Sequence, residues 1–299
     1  MIYLNKSKIN KVIIQTGWRN NMKTPAEQAA LIQSLNVVDD IFFHKIAEDP
    51  EVCEEILRIL LEMPQLKVVQ CQVQRFLRNN GAHSVILDAL CELEDGSAAN
   101  IEVQKADDDN HQKRVRFNQS NIDTLFTEKG IKYKALPDVY MVFISKFDVF
   151  GKGRTIYHID RVIRETGDVV ENGVHEIYVN TEVDDKTTIA ELMQYFKKSE
   201  GVHPKFKKLC DRVDYYKYEG KGVKIMATLF EQYVAEERME ARKETRIEEE
   251  KKGIKNIAEI YNKFNQDISI AKEAIKEKYP NVEEELIDDI IDAVYRYKE

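Results

Sequence analysis

No apolar run in this chain approaches the roughly 18 residues of a membrane helix, and the N-terminus carries no apolar leader, so neither membrane insertion nor secretion is expected. Cysteine is scarce: Cys53, Cys71, Cys91 and Cys210 are the four among 299 residues. They are scattered, without a Cys-x-x-Cys pair, so neither disulfides nor a zinc site are expected. The six histidines are equally dispersed. An excess of positive charge is also missing. Lys and Arg number 45 against 53 Asp and Glu, for a net charge of −8 and a pI of 5.5. The chain as a whole does not advertise a nucleic-acid binder, and any such role has to rest on a local basic patch. Much of the acidity lies in the last third of the sequence. What is present is 43% hydrophobic and 9% aromatic content, the make-up of a folded globular protein. The expectation is a soluble protein of a reducing compartment, most simply the cytoplasm.

The most informative local pattern is a hairpin. Residues 84–91 read as a strand, Glu94-Asp95-Gly96-Ser97 as a turn and residues 98–104 as a second strand. Asp-Gly is a strong hairpin signal. Alternation places Glu102 and Gln104 on one face and Ile101 and Val103 on the other. A three-residue loop with Gly96 in the left-handed bulge position sets Leu93 against Ser97 and Asp88 against Glu102. A two-residue loop sets Asp88 against Val103 instead, and the site dissolves. In the first register two carboxylates and an amide oxygen converge, a ligand set for a hard cation such as Mg²⁺. On pattern alone, ordinary solvated sheet surface explains these residues better.

The wider series of motifs tips the balance. Leu87-Asp88, Asp95-Gly96 and Asn100-Ile101-Glu102-Val103-Gln104 are followed by His111-Gln112-Lys113-Arg114-Val115-Arg116-Phe117. Then come Ser120, Asp123, Gly130, Tyr133, Leu136-Pro137-Asp138-Val139-Tyr140, Tyr157, Arg161, Glu165-Thr166 and Tyr178-Val179-Asn180. Upstream stands Val38-Asp39-Asp40-Ile41-Phe42-Phe43-His44-Lys45-Ile46. In this order the chain, over roughly residues 30–230, resembles the PD-(D/E)XK nuclease family transposases, relatives of the recombination-promoting nucleases.

The resemblance implies an α/β, restriction-endonuclease-like core with a mixed central sheet flanked by helices. It implies a metal-dependent DNA endonuclease tied to recombination or a mobile element, using Mg²⁺ or else Mn²⁺ or Ca²⁺. Asp88, Glu102 and the Val103 carbonyl would hold the metal. Gln104 would orient the attacking water or the substrate, and Asp40 would reach the metal through water. Two departures stand out: Gln104 occupies the place of the signature Lys, with Lys105 one step later on the other face, and Phe43-His44-Lys45 shifts the expected Phe-Lys pairing.

DNA contacts are expected from Lys105, Lys113, Arg114 and Arg116, with Arg75 and Arg78 extending the track. A solvated helix face bridged to residues 107–109 is the competing explanation. Arg114 and Arg116 are two positions apart and cannot share one helix face. Arg114, a turn from His111 and Asn118, is the one expected in the cleft. A catalytically degenerate nuclease-fold protein acting in nucleic-acid binding or assembly stays open, as does an RNA-directed or defence nuclease.

Three segments are expected: 1–23 as an N-terminal arm, 24–233 as the nuclease-like domain, and 234–299 as a charged helix with a small helical module. Either the first 21 residues form a flexible arm or Met22 is the start, the second being favoured. Thr24, Pro25 and Glu27 form a helix-start signal. Val52, Ile56, Ile59, Leu60 and Met63 give a core helix ended by Pro64. Residues 68–76 alternate as a strand, leading through Asn79-Asn80-Gly81 into the next. Residues 110–129 read as a helix capped by Gly130, residues 139–144 as a buried central strand, and Gly151-Lys152-Gly153-Arg154 as a hairpin loop. Residues 167–178 suggest a further strand pair and 189–198 a helix. Residues 254–299 form amphipathic helices broken near 265–267 and 279–281, offering a surface for homodimerisation.

Overall fold

The structure, a computed structural model, describes residues 24–77, 85–107, 110–127 and 132–295. The expectations for the N-terminal arm, Arg78, the 79–81 turn, Asp108, Asp109 and the Gly130 cap lie outside them. The chain divides into two compact units, Met1–Leu229 and Phe230–Glu299.

The first unit is a mixed six-stranded sheet with helices on both faces. Helix α1 (Pro25–Ser34) opens with the expected capping box between Thr24 and Glu27. Helix α2 (Asp40–Ala47) is buried over almost its whole surface. Helix α3 (Pro50–Leu60) buries Val52, Cys53, Ile56, Leu57 and Leu60. Met63 falls outside that stripe and is exposed, because the helix has already ended at Leu61 and Glu62 turns to φ +53°.

The strands are β1 (Val68–Leu77), β2 (Val85–Leu93), β3 (Ala98–Gln104), β4 (Val139–Ser145), β5 (Ile156–Ile159) and β6 (Val174–Asn180). Their spatial order is β1-β2-β3-β4-β6-β5. The β1-β2-β3 meander is antiparallel, β3, β4 and β6 run parallel, and β5 returns antiparallel to β6. Parallel neighbours need a crossover, and helix α4 (His111–Leu125) supplies the one from β3 to β4. With parallel strands on both sides, β4 is buried at every residue but Tyr140, as its continuous apolar run predicts.

The expected hairpin at Gly151–Arg154 does not occur. The chain leaves β4, passes over β6 and pairs as β5 on its far side. The loop is held instead by Tyr157, whose hydroxyl accepts from the Lys152 and Arg154 amides and donates to Asp148. Likewise the strand pair expected within residues 167–178 is β6 paired with β5, with an isolated bridge between Val162 and Val169 before it.

Under α4 lies a core of Leu77, Val85, Leu87, Leu90, Ala98, Val115, Ile122, Val139, Met141, Phe143 and Tyr178. Each fully buried aliphatic side chain of this kind contributes about 1.5–3 kcal/mol. Helices α2 and α3 pack on β1. Helices α5 (Thr188–Lys198) and α6 (Lys207–Tyr218) both pack on α3.

Helix α7 (Gly220–Lys263) carries the charged stretch. In the second unit its C-terminal turns join α8 (Ile268–Lys278) and α9 (Glu284–Tyr295) around Ile254, Ala258, Ile275, Ile287 and Ile291. Among the described residues no helix is long and apolar enough to cross a membrane.

Candidate active site

The β2–β3 hairpin takes the three-residue-loop register. The Leu93 amide donates to the Ser97 carbonyl at 2.9 Å, and Cys91↔Ala99, Leu90↔Asn100 and Ala89↔Ile101 follow. Gly96 sits at φ +87°, the left-handed position this loop demands and a side chain would strain. Continuing the count, Asp88 lies across from Glu102 and Leu87 across from Val103.

Hydrogen-bonded pairs alternate along an antiparallel ladder, so Leu87 and Val103 would form the next one. The ladder stops there. The Val103 amide donates to Asp88 Oδ2 at 2.9 Å, and the Asp88 amide donates to Glu102 Oε1 at 3.2 Å. Two carboxylates have taken the place of main-chain partners, and the strands fork around them.

The fork rests on an irregular strand. Leu87 and Leu90 pack in the same cluster, although strict alternation would send them to opposite faces. The phase of β2 therefore changes between them. Across from Asp88 on β1, Gln74 adopts φ +53°. Such local irregularity collects at functional sites. Its consequence is that the Asp88 carboxylate fills the gap between strands instead of standing on the sheet face, as a regular strand would have placed it.

Asp88 and Glu102 are 3% and 4% exposed, and buried carboxylates require hydrogen bonds or counter-charge. Glu102 Oε1 also accepts from the Asn100 side-chain amide at 3.0 Å. Asp88 Oδ1 meets His44 Nε2 at 3.1 Å, while Gln74 Nε2 donates to His44 Nδ1 at 2.9 Å. With Nδ1 accepting, the ring proton sits on Nε2 and is donated to Asp88. His44 and Gln74 are the site residues that sequence reading missed. The signal for His44 was its place four residues after Asp40, hence on the same face of α2. Asp40 is buried one turn from the residue that holds Asp88.

His44→Ala leaves a cavity and removes a hydrogen-bond partner from buried Asp88 and half-buried Gln74, so we expect it to cost about 2–3 kcal/mol of stability. Urea unfolding checks this, and a change below about 0.5 kcal/mol, the size of an ordinary surface substitution, would contradict the contact.

Gln104 is buried, with both ends of its amide engaged. Its nitrogen donates to the Ala106 carbonyl and its oxygen accepts from Arg114 Nη1, each at 2.8 Å. Beside the expected water-orienting role, Gln104 thus holds the guanidinium of Arg114, a contact that sequence reading did not foresee. Lys105 is engaged as well. Its ammonium pairs with Asp39 at 2.5 Å, a carboxylate that also accepts the Asn36 amide at 2.8 Å. Asp39 precedes α2 without capping it, so Lys105 ties the end of β3 to the start of α2. The Lys105 side chain nevertheless stays 35% exposed.

Along α4, Val115 and Ile122 face the core. His111 is buried between Phe143 and Phe147, ring centroids 5.3 and 5.1 Å away, and meets Asp107 at 2.9 Å. Arg114 is half-buried against Gln104, whereas Lys113, Arg116 and, on β1, Arg75 are exposed. The structure thus brings Asp88, Glu102, Val103, Gln104 and Arg114 together and leaves Lys113 and Arg116 on the outer face of α4.

The α/β core thus holds two buried carboxylates at a fork in a mixed sheet, with a guanidinium one helix away. Residues 48–198 match the family described as PD-(D/E)XK nuclease family transposase, and the chain belongs to that family. Its fold is accordingly restriction-endonuclease-like. Comparison with curated proteins and with solved structures returns no match.

The donor set at the fork fits a hard divalent cation: both side chains are oxygen ligands and both are buried. In β3 the odd-numbered residues direct both main-chain groups toward β2, so the Val103 carbonyl lies on the same edge as its amide.

Proposed function

We propose that the fork is the catalytic centre of a Mg²⁺-dependent endodeoxyribonuclease acting in recombination or for a mobile element. The observation that carries this reading is the paired replacement of ladder hydrogen bonds by Asp88 and Glu102. Two carboxylates drawn together inside a sheet are an oxygen ligand set for a hard divalent cation, which Asp88, Glu102 and the Val103 carbonyl would hold.

When bound, such a cation neutralises phosphate charge and lowers the pKa of a coordinated water. The protein's own groups do the rest. His44 orients Asp88 and keeps it hydrogen-bonded, and Gln104 fixes the guanidinium of Arg114 where a bidentate phosphate contact is within its chemistry. The exposed Lys113 and Arg116 track the DNA backbone and give affinity without sequence preference.

A second reading has its own observation. With Gln104 in place of the signature Lys and Lys105 bound to Asp39, no ammonium is supplied from this strand to the fork, as a catalytically degenerate nucleic-acid-binding scaffold would have it.

Incubating purified protein and supercoiled plasmid with Mg²⁺, Mn²⁺, Ca²⁺ or EDTA separates the two readings. The nuclease cleaves with Mg²⁺ or Mn²⁺ and stops in EDTA. DNA binding without cleavage in any metal establishes the scaffold.

A further inference from the structure

Three of the four cysteines converge on one point, although 18 and 20 residues separate them in sequence. Cys53 comes from α3, Cys71 from β1 and Cys91 from β2, the last two directly opposite each other in register. The sulfurs of Cys53 and Cys71 are 3.6 Å apart and those of Cys71 and Cys91 3.4 Å, and all three lie within 4.8 Å of one another. All three are free thiols, and their separations far exceed the roughly 2.05 Å of a disulfide. Among the described residues this is the one group of three or more His, Cys, Asp or Glu whose ligand atoms come so close.

From this juxtaposition we infer that Cys53, Cys71 and Cys91 form a binding site for a thiophilic divalent d¹⁰ cation of the zinc class. Two thiolates on a tetrahedral zinc, each about 2.3 Å from the metal, stand about 3.8 Å apart. The observed separations need only a few tenths of an ångström of opening. Sulfur ligands select against Mg²⁺ and Ca²⁺, so this site and the carboxylate fork sort different metals within one fold.

Charge selects the valence. Three thiolates with a divalent ion leave one net negative charge, and with a monovalent ion two. Cys53 and Cys91 are fully buried, where the smaller charge costs less. Cys91 directs its S–H at the Cys71 sulfur, so the cluster already presents Cys71 as an electron-pair donor at its centre. Cys71 is also the partly exposed member, which gives the ion its way in. On binding, each of the three thiols gives up its S–H proton to the buffer as its metal–sulfur bond forms, and nothing is oxidised or reduced. The bound ion would clamp α3 to the β1–β2 pair, three residues along β2 from Asp88.

The test uses the full chain, reduced and freed of metal. It is titrated with Zn²⁺ against a chromophoric chelator, and with Cd²⁺ followed by its sulfur-to-metal charge-transfer absorbance, both in excess Mg²⁺. The expected result is one ion per chain, an absorbance equal to three thiolate bonds, and an affinity that Mg²⁺ does not alter. Cys71→Ser weakens binding by at least about a hundredfold, and Cys210→Ser leaves it unchanged. The Cd²⁺ absorbance of the unmodified chain keeps the test decisive should Cys71→Ser fail to fold. Failure to bind either ion stoichiometrically, an absorbance of fewer than three thiolate bonds, indifference to Cys71→Ser, or a native disulfide joining two of the three would overturn the inference.

Discussion

Glu102→Gln is expected to abolish Mg²⁺-dependent cleavage, by at least about a thousandfold, with the protein still folded. The substitution keeps the shape of the side chain and an oxygen that accepts from the Asp88 amide and the Asn100 side chain. It removes a negative charge from a site that buries two of them. Without metal the variant should therefore be as stable as the parent or more so, because like-charge repulsion at the fork is relieved. With millimolar Mg²⁺ the parent should gain thermal stability by mass action and the variant should not. Thermal unfolding with and without Mg²⁺, beside the plasmid assay, reads both effects. A variant that cleaves normally, or keeps the Mg²⁺ shift, would remove Glu102 from the site.

Arg114→Ala is expected to reduce cleavage by about a hundredfold or more, the scale seen when one electrostatic donor to a transition state is removed. It should also flatten the dependence of DNA affinity on salt by about one unit, the loss of one phosphate contact. Arg116→Ala should lower affinity and salt slope in the same way while leaving the cleavage step at saturating DNA close to the parent rate. The difference follows from position: Arg114 is fixed on Gln104 at 2.8 Å, and Arg116 is exposed on the outer face of α4. Gln104→Ala tests the positioning directly. It should depress the rate at saturating DNA more than it depresses affinity. If Arg116→Ala stopped cleavage and Arg114→Ala did not, the two roles would be exchanged.

What was legible in the sequence was local. Asp95-Gly96 marked the turn but left two- and three-residue loops open, and it is the three-residue loop found in the structure that carries Asp88 to Glu102. Thr24, Pro25 and Glu27 built their capping box from neighbours three residues apart, and the apolar run at residues 139–144 announced a strand buried on both faces.

What was not legible needed tertiary packing. His44 reaches Asp88 across 44 residues of sequence, and Gln74 reaches His44 from a left-handed backbone position in β1. The change of phase in β2 has no signature in its alternation. Three cysteines on three elements share no spacing motif, so the expectation of scattered thiols gave way to a cluster. The passage of β5 over β6 was equally hidden, because the glycine-rich loop looks the same whether or not its flanking strands pair.

The most direct measurement of the central claim is an anomalous-difference map from crystals of the protein grown with Mn²⁺ in place of Mg²⁺. A peak is expected at the β2–β3 fork, bound by the Asp88 and Glu102 carboxylates and absent from crystals of Glu102→Gln. A fork without anomalous density at saturating Mn²⁺, with the ion found only on surface carboxylates, would contradict it.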